Sequence, residues 1–167
     1  MKPATPLAEK LTMSEGGARV IPVPPPLFYA LAFGTGMALR SATVPLAIDG
    51  SLTRILPGVI LGGAGILLVT TAVARVRRRG TTLVPHRPVT RLLTDGPYRL
   101  SRNPMYTGLA LTYVGATLLV GTWWPLLTLP AAGIAIWILF VAPEERYLAT
   151  RFGQDYITYT QKTRRWL

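Results

Sequence analysis

The sequence contains no cysteine, only one histidine and only seven acidic residues among its 167 positions. Without cysteine there is no disulfide framework, no thiolate nucleophile and no cysteine-ligated metal. With so few histidines and carboxylates we also expect no histidine-rich metal centre. No apolar core directly follows the first charges of the N-terminus, so we expect no cleavable signal peptide.

Positive charge and apolar residues dominate what is present. The chain has 18 lysines and arginines, a formal net charge of +11 and 50% hydrophobic residues. The basic residues lie between apolar runs instead of on one soluble face, so the positive-inside rule and anionic lipid explain them better than nucleic acid does. Four tryptophans and sixteen glycines are also typical of a membrane protein. We therefore expect a membrane protein with no nucleic-acid partner.

Four apolar runs predict an all-α, polytopic bundle of about four transmembrane helices. The runs are residues 27–48, 55–74, 104–120 and 124–141. Arg40 and Pro45 interrupt the first run, and a central arginine costs roughly 3 kcal/mol on insertion scales. The second run has about 20 residues without a charge, enough to cross roughly 30 Å of hydrocarbon.

The domain organisation predicted from these runs is simple. Residues 1–26 form a polar lead that ends in a proline-rich spacer, IPVPPP. Residues 27–167 form one membrane domain. We see no internal repeat and no second domain.

The distribution of basic residues predicts the orientation. Residues 1–26 hold three lysines and arginines, residues 75–103 hold eight and residues 142–167 hold five. The opposite side has only Arg54, and Arg40 if that side chain reaches the interface. We therefore predict a multi-pass protein with both termini and the basic connection in the cytoplasm. The prolines of that connection favour a folded surface loop over a helix.

The C-terminal segment, residues 142–167, is predicted to be an amphipathic helix or two on the inner membrane surface. One face is formed by residues spaced three and four apart: Phe152, Tyr156, Tyr159, Thr163 and Trp166. Basic residues expected to meet anionic head groups are Lys162, Arg164 and Arg165. Gly153 is predicted to break the helix before this last segment.

The segment 96–106, GPYRLSRNPMY, concentrates hydrogen-bonding side chains where the third span begins. Proline in the first helical turn fixes the entry angle of the chain, so Arg99, Arg102 and Asn103 are held at the membrane surface. The two arginines are three apart and can face one pocket, where arginine recognises carboxylate or phosphate bidentately. A simple anchor needs flanking charge alone, so this pattern indicates a site.

Two adjacent carboxylates, Glu144 and Glu145, follow Pro143 at the inner end of the fourth span. They are either a solvated helix end or functional groups. As functional groups they accept hydrogen bonds from ribose hydroxyls or an ammonium group, or hold Arg99 or Arg102 in place. Neighbours on a helix do not share a face, so we expect only one of them to point straight inward.

Two further features have open interpretations. The run Gly62-Gly63-Ala64-Gly65 in the second span serves either close helix packing or space for a ligand. His86, in the sequence PHRP, is either an ordinary loop residue or a hydrogen-bonding group or base near neutral pH.

Three motifs in this order resemble the isoprenylcysteine carboxyl methyltransferase and phospholipid methyltransferase family of integral membrane enzymes. They are the segment 96–106, the Glu144-Glu145 pair and the segment 151–166. Where that family usually has Arg-His-Pro, this chain has Arg102-Asn103-Pro104. The segment 103–106 and the glycine motif are closer to the phospholipid branch, whereas Phe152-Gly153 with Tyr156 and Tyr159 looks more like the isoprenylcysteine branch. The similarity covers about residues 55–167.

The resemblance implies that S-adenosyl-L-methionine binds at the cytoplasmic end of a small helical bundle. Residues implied to bind this cofactor are Gly63, Gly65, His86, Tyr98, Arg102, Asn103, Pro104, Tyr106, Glu144 and Glu145. Arg99 and Glu145 are assigned direct catalytic roles. Asparagine at position 103 removes a titrating group, so no base is expected there.

The same resemblance implies methyl transfer to a lipid or small lipophilic acceptor at the cytoplasmic membrane face. A phospholipid amine, as in phosphatidylethanolamine, is the favoured acceptor. One alternative is a carboxyl or thiol acceptor of the isoprenylcysteine type. The other is a non-catalytic membrane subunit whose basic surface binds anionic lipid.

Overall fold

The structure, a computed structural model, describes residues 23–44, 46–80 and 89–167. This part of the chain is helical, which confirms the all-α prediction, and its one β-bridge joins Ala47 to Thr122. The helices are α1 (Pro25–Ala42), α2 (Ser51–Arg78), α3 (Pro104–Val120), α4 (Trp124–Ile136), α5 (Ala142–Phe152) and α6 (Gln154–Lys162). A 3-10 turn (Gly96–Arg99) precedes α3, and a π-helical segment (Trp137–Val141) joins α4 to α5.

Several helix ends differ from the prediction for physical reasons. α1 begins at Pro25, because proline is well suited to the first helical turn, so the extended spacer is shorter than expected. α2 continues past Ala74 through Arg78, and the first part of the basic connection is therefore helical. Arginine is a good helix former, and no proline intervenes. α3 has the predicted bounds and ends at Gly121, whose φ of +74° stops the helix.

Two continuous helical stretches are long and apolar enough to cross a membrane within the part of the chain that the structure describes. They are Ser51–Arg78 and Trp124–Phe152. α3, with 17 residues, is a shorter apolar helix, and α1 is not among the candidates. The expectation of about four spans stays a prediction, as does the cytoplasmic placement of the termini.

Glycines bring α2 and α3 into backbone contact. A methyl group on Gly115 would lie 2.4 Å from the amide nitrogen of Gly62, and one on Gly65 would lie 2.5 Å from the carbonyl oxygen of Gly108. Small residues at such positions let transmembrane helices approach closely. Gly36 of α1 meets the backbone of Pro125 in the same way, which sets α1 against α4.

Side chains at the starts of α2 and α4 hold the end of the bundle that contains the C-terminus of α3. Arg54 of α2 donates hydrogen bonds to the carbonyl oxygens of Leu118 at 3.1 Å and Leu119 at 2.8 Å. The last carbonyls of a helix lack the amides of a following turn, and a cation also suits the negative end of the helix dipole. Trp124 Nε1 donates to Val44 O at 3.0 Å. This end is therefore fixed, and the site lies at the other end, where α3 begins.

Candidate active site

A cavity lies between the segment 89–106, α5 and α6. It measures about 80 Å³, and about 830 Å³ when the space that opens to solvent is included. Six of the residues predicted to bind a cofactor line it: Tyr98, Arg102, Asn103, Tyr106, Glu144 and Glu145. The segment before α3 and the acidic pair after the fourth apolar run are thus brought together.

Glu145 joins two arginines at the wall of the cavity. Arg102 Nη1 lies 3.2 Å from Glu145 Oε1, and Arg165 donates to both carboxylate oxygens at 3.0 and 2.8 Å. The Arg102 and Glu145 side chains are only 14% and 16% exposed, so this pair is well shielded from water. The Arg102 Nε is buried and has no hydrogen-bond partner within the part of the chain that the structure describes. Because almost every buried donor in a folded protein is paired, a free one beside a cavity indicates a missing acceptor.

Glu144 faces a different wall of the same cavity. The Tyr106 hydroxyl donates to Glu144 Oε2 over a long 3.4 Å, and no described basic residue forms an ion pair with this carboxylate. Both glutamates therefore line the cavity, whereas the sequence predicted that only one would point inward. The two reach it because they turn to different partners, Glu145 to arginines and Glu144 to a tyrosine.

The segment that follows α6 is bonded to the turn that precedes α3. Arg102 N donates to Arg164 O at 2.9 Å, and the side chains of Ser101 and Asn103 donate to Arg165 O at 3.1 and 3.2 Å. Ser101 Oγ, in a fully buried residue, also accepts from Asn103 N at 3.1 Å. Asn103 thus lines the cavity while its amide holds the C-terminal segment in place.

Tyrosines from α5 and α6 close the cavity on the side away from α3. The Tyr159 hydroxyl donates to Tyr98 O at 2.6 Å, and the Tyr147 hydroxyl accepts from Val89 N at 3.2 Å. Burial raises the pKa of Tyr98 and of Tyr159, so both phenols stay protonated at neutral pH. The phenols therefore serve as neutral hydrogen-bonding groups.

The predicted interfacial face of the tail turns inward instead of toward lipid. Tyr156, Tyr159 and Thr163 are buried, and the two tyrosines line the cavity. Arg165 binds Glu145, although the sequence assigned it to head groups. Trp166 remains 40% exposed, and Gly153 breaks the helix as predicted, with a φ of +50°.

A cluster of opposite charges fixes the start of the site to α2. Arg75 Nε donates to Asp95 Oδ1 at 2.8 Å, and Arg79 pairs with the same carboxylate. The hydrogen bonds from these arginines lower the pKa of Asp95. Gly96 follows with a φ of +60°, which starts the 3-10 turn that carries Tyr98 to the cavity. We call the cluster of Asp95 with Arg75 and Arg79 the Asp95 clasp.

Four predicted site residues in the described part of the chain are not brought to the cavity. Arg99 is exposed at the end of the 3-10 turn and does not line it, so the catalytic role expected of Arg99 has no geometric support. Gly65 is packed against α3, which agrees with the interpretation that the glycine run serves close helix packing. Gly63 makes no such contact, since a methyl group on it would have no described atom within 4 Å. Pro104 is buried at the start of α3. His86 lies outside the described residues.

Two features of the site were missed by the sequence analysis. The first is the ion pair between Arg165 and Glu145. The chain has few carboxylates and many arginines, so any basic residue close to Glu145 could have been considered as its partner. The π-helical segment Trp137–Val141 just before the acidic pair had no sequence signal. Such segments often occur at functional sites, since one extra residue per turn changes the direction of the side chains that follow.

A family model of phospholipid methyltransferases matches residues 53–155. This range covers more than half of the chain, and it contains both the segment before α3 and the acidic pair. The chain belongs to the phospholipid methyltransferase family. The resemblance drawn from the motifs is confirmed, and the family is one of membrane methyltransferases.

Two relatives add detail to this assignment. The protein-S-isoprenylcysteine O-methyltransferase B of Arabidopsis thaliana is 30% identical over 103 residues, which are 59% of this chain and 51% of the plant protein. The chain thus spans about half the length of that relative. A Haemophilus influenzae sequence named only as an uncharacterized protein is 40% identical over 68 residues, 38% of this chain and 100% of the relative. No solved structure matches the chain significantly.

Proposed function

We propose that this family member binds S-adenosyl-L-methionine in the cavity and transfers its methyl group to a lipophilic acceptor at the membrane surface. The observation that carries the proposal is Arg102, which lines the cavity of a methyltransferase family member and whose buried Nε has no hydrogen-bond partner among the described residues. Arginine binds carboxylates with strong, directional hydrogen bonds. The methionine part of the proposed cofactor has such a carboxylate.

The residues around the cavity fit the remaining groups of that cofactor. Its ribose hydroxyls need acceptors, and one oxygen of the Glu144 carboxylate is available because no described basic residue pairs with this side chain. Its apolar surfaces need cover, which Tyr98 and Tyr156 provide. When bound, S-adenosyl-L-methionine supplies a methyl group on a positively charged sulfur, ready for attack by a nucleophile.

The residues of the chain act on this reaction by position and by exclusion of water. Direct methyl transfer is an in-line displacement that needs no covalent enzyme intermediate. Holding two reactants in line lowers the activation free energy by on the order of 7 to 11 kcal/mol. Arg102 and Glu145 fix each other, and the buried tyrosines shield the reacting centre from bulk water. Arg99 has no part in this mechanism.

A phospholipid amine is the acceptor that we propose. Glu144 lines the cavity with a carboxyl group, which in its ionised form attracts an ammonium head group and repels an acceptor carboxylate. The same carboxylate takes the proton that the amine must lose to become a nucleophile. The second candidate is a carboxylate acceptor, which the name of the Arabidopsis thaliana relative favours and which Arg102 and Arg165 would orient.

Calorimetric titration of the full chain in detergent with S-adenosyl-L-methionine tests the cofactor. We expect saturable binding, weakened about tenfold or more in Arg102→Gln, since a hydrogen bond to a charged group contributes about 1.5 to 3 kcal/mol. Arg146→Gln is the matched control, because Arg146 is exposed on α5 and does not line the cavity. No binding to the unchanged chain, or equal binding to Arg102→Gln, would refute the proposal and favour a non-catalytic subunit.

The acceptor is identified by incubating the protein with isotopically labelled donor and a lipid extract, followed by mass spectrometry. Label on an amine head group supports the phospholipid amine, and Glu144→Gln should then lose turnover while it still folds. Label released by mild base as methanol indicates a carboxyl ester instead. Cofactor binding without transfer to any lipid rejects both acceptors.

A further inference from the structure

A second groove lies on the far side of the 3-10 turn from the cavity. It measures about 290 Å³ and is lined by Thr71, Ala74, Arg75 and Arg78 of α2 together with Gly96 and Pro97. The α2 residues are spaced three, one and three apart, so they form one face of the helix. The groove is separate from the cavity, whose lining contains none of these residues. The proposed function does not use it.

The groove is basic, and one of its arginines has no acidic partner among the described residues. α2 ends in a run that contains Arg75, Arg77, Arg78 and Arg79, and Asp95 takes both Arg75 and Arg79. No described carboxylate pairs with Arg78, which is exposed and lines the groove. A guanidinium in this position suits the oxygens of a phosphate.

The same face of α2 continues from the groove into an apolar surface. From Arg78 toward the N-terminus of α2, the next lining residues on this face include Ala74 and Thr71, which are small. Leu67, one turn closer to the N-terminus than Thr71, is 63% exposed. The 11 steps along the helix from Leu67 to Arg78 span about 16 Å at 1.5 Å per residue. That length is about half of a 30 Å hydrocarbon core, which is the depth of one leaflet.

We propose that this groove binds the head group of an anionic phospholipid, with the phosphate on Arg78 and the acyl chains along Ala74, Thr71 and Leu67. Charge complementarity selects an anion, and the apolar surface that continues from the groove selects a lipid over a soluble phosphate. The small side chains leave space for the glycerol part. The opposing backbone of Gly96 and Pro97 forms the other wall.

Two adjacent arginines distinguish a site from general attraction to a charged membrane. Arg77 and Arg78 belong to the same helical turn and carry the same charge, yet Arg78 lines the groove and Arg77 does not. Both are exposed, so replacing either leaves the fold intact. A plain membrane anchor would lose the same affinity from either change.

Native mass spectrometry of the full chain in mixed micelles of phosphatidylglycerol and phosphatidylcholine tests the proposal. We expect one phosphatidylglycerol to be retained in preference to phosphatidylcholine, with affinity lowered about fivefold in Arg78→Gln and less than twofold in Arg77→Gln. Ala74→Leu should lower it as well by filling the groove without changing charge. Ala131→Leu, at an exposed position of α4, is its control.

Three results would overturn the proposal. Equal losses in Arg77→Gln and Arg78→Gln would indicate general charge attraction. Equal retention of the two lipids would exclude recognition of an anion. Displacement of the lipid by inorganic phosphate at a comparable concentration would assign the groove to a soluble phosphate. Cofactor binding is not needed for any of these measurements, so they are independent of the proposed methyl transfer.

Discussion

Glu145 is the residue at which a single change should have the clearest effect on stability. Replacing it with leucine keeps a similar volume and removes the carboxylate that both Arg102 and Arg165 contact. Loss of this carboxylate affects the two arginines differently, because they differ in their exposure to water. The Arg165 side chain is 41% exposed and can turn to water, whereas that of Arg102 is 14% exposed and already has one unpaired nitrogen.

The expected magnitude follows from this difference in burial. Breaking a buried ion pair costs about 3 to 5 kcal/mol, because one charge stays uncompensated, while an exposed pair contributes about 0 to 1 kcal/mol. For a chain of this size 1 kcal/mol corresponds to roughly 2 to 4 °C in Tm. Glu145→Leu should therefore lower Tm by on the order of 10 °C, and most of that loss belongs to Arg102.

A second substitution in the Glu145→Leu background tests this assignment. Arg102→Met should recover at least half of the lost Tm, because replacing both members of a buried pair with apolar residues is close to neutral. Arg165→Met should recover almost none. Tryptophan fluorescence on heating in detergent measures the four chains under one condition. If Arg165→Met restored Tm to the same extent as Arg102→Met, the burial of each arginine would not determine its share of the loss in stability.

Two further predictions concern the contacts of α2. Gly115→Ala should lower the free energy of unfolding by about 1 to 3 kcal/mol, since its methyl group would meet Gly62 N. Gly63→Ala, whose methyl group would lie in open space, should raise the free energy of unfolding by no more than about 1 kcal/mol. Thermal unfolding compares the two variants, and equal effects would contradict close packing of α2 on α3. The lowered pKa of Asp95 means that its contribution is present above the ordinary carboxyl pKa of about 3.9 and is lost as pH falls through the lower folded value. The difference in Tm between the unchanged chain and Asp95→Asn should thus be constant from about pH 6 to 8 and shrink as the pH falls below about 4. A difference that did not shrink in acid would contradict the role of the Asp95 clasp.

Local sequence signals were sufficient where one residue determines the backbone. Pro104 at the start of α3 and the glycines at positions 121 and 153 mark helix ends where the structure has them. The segment 96–106 and the acidic pair were also recognisable, because polar side chains at a lipid boundary require a reason. They meet at one cavity, as the motifs implied.

Tertiary contacts decided what local signals could not. Arg99 and Arg102 look equivalent in the sequence, and only the path of the 3-10 turn leaves the first exposed and the second buried. The tail has the pattern of a membrane-surface helix, yet hydrogen bonds from residues 101–103 hold it against the bundle with its aromatic face inward. The glycine run was compatible with packing or ligand binding, and the partner helix alone resolves Gly65.

The bonds between residues 101–103 and the carbonyls of Arg164 and Arg165 have a consequence for biosynthesis. These two arginines follow every residue that lines the cavity, so a nascent chain has the lining segments before it has the hydrogen bonds that hold the turn before α3, and its Glu145 lacks one of two cations. These contacts should accordingly form only when Arg165 has emerged from the ribosomal exit tunnel. Ribosome-bound chains with C-terminal linkers of two lengths, which leave Arg165 inside the tunnel or outside it, would show the transition.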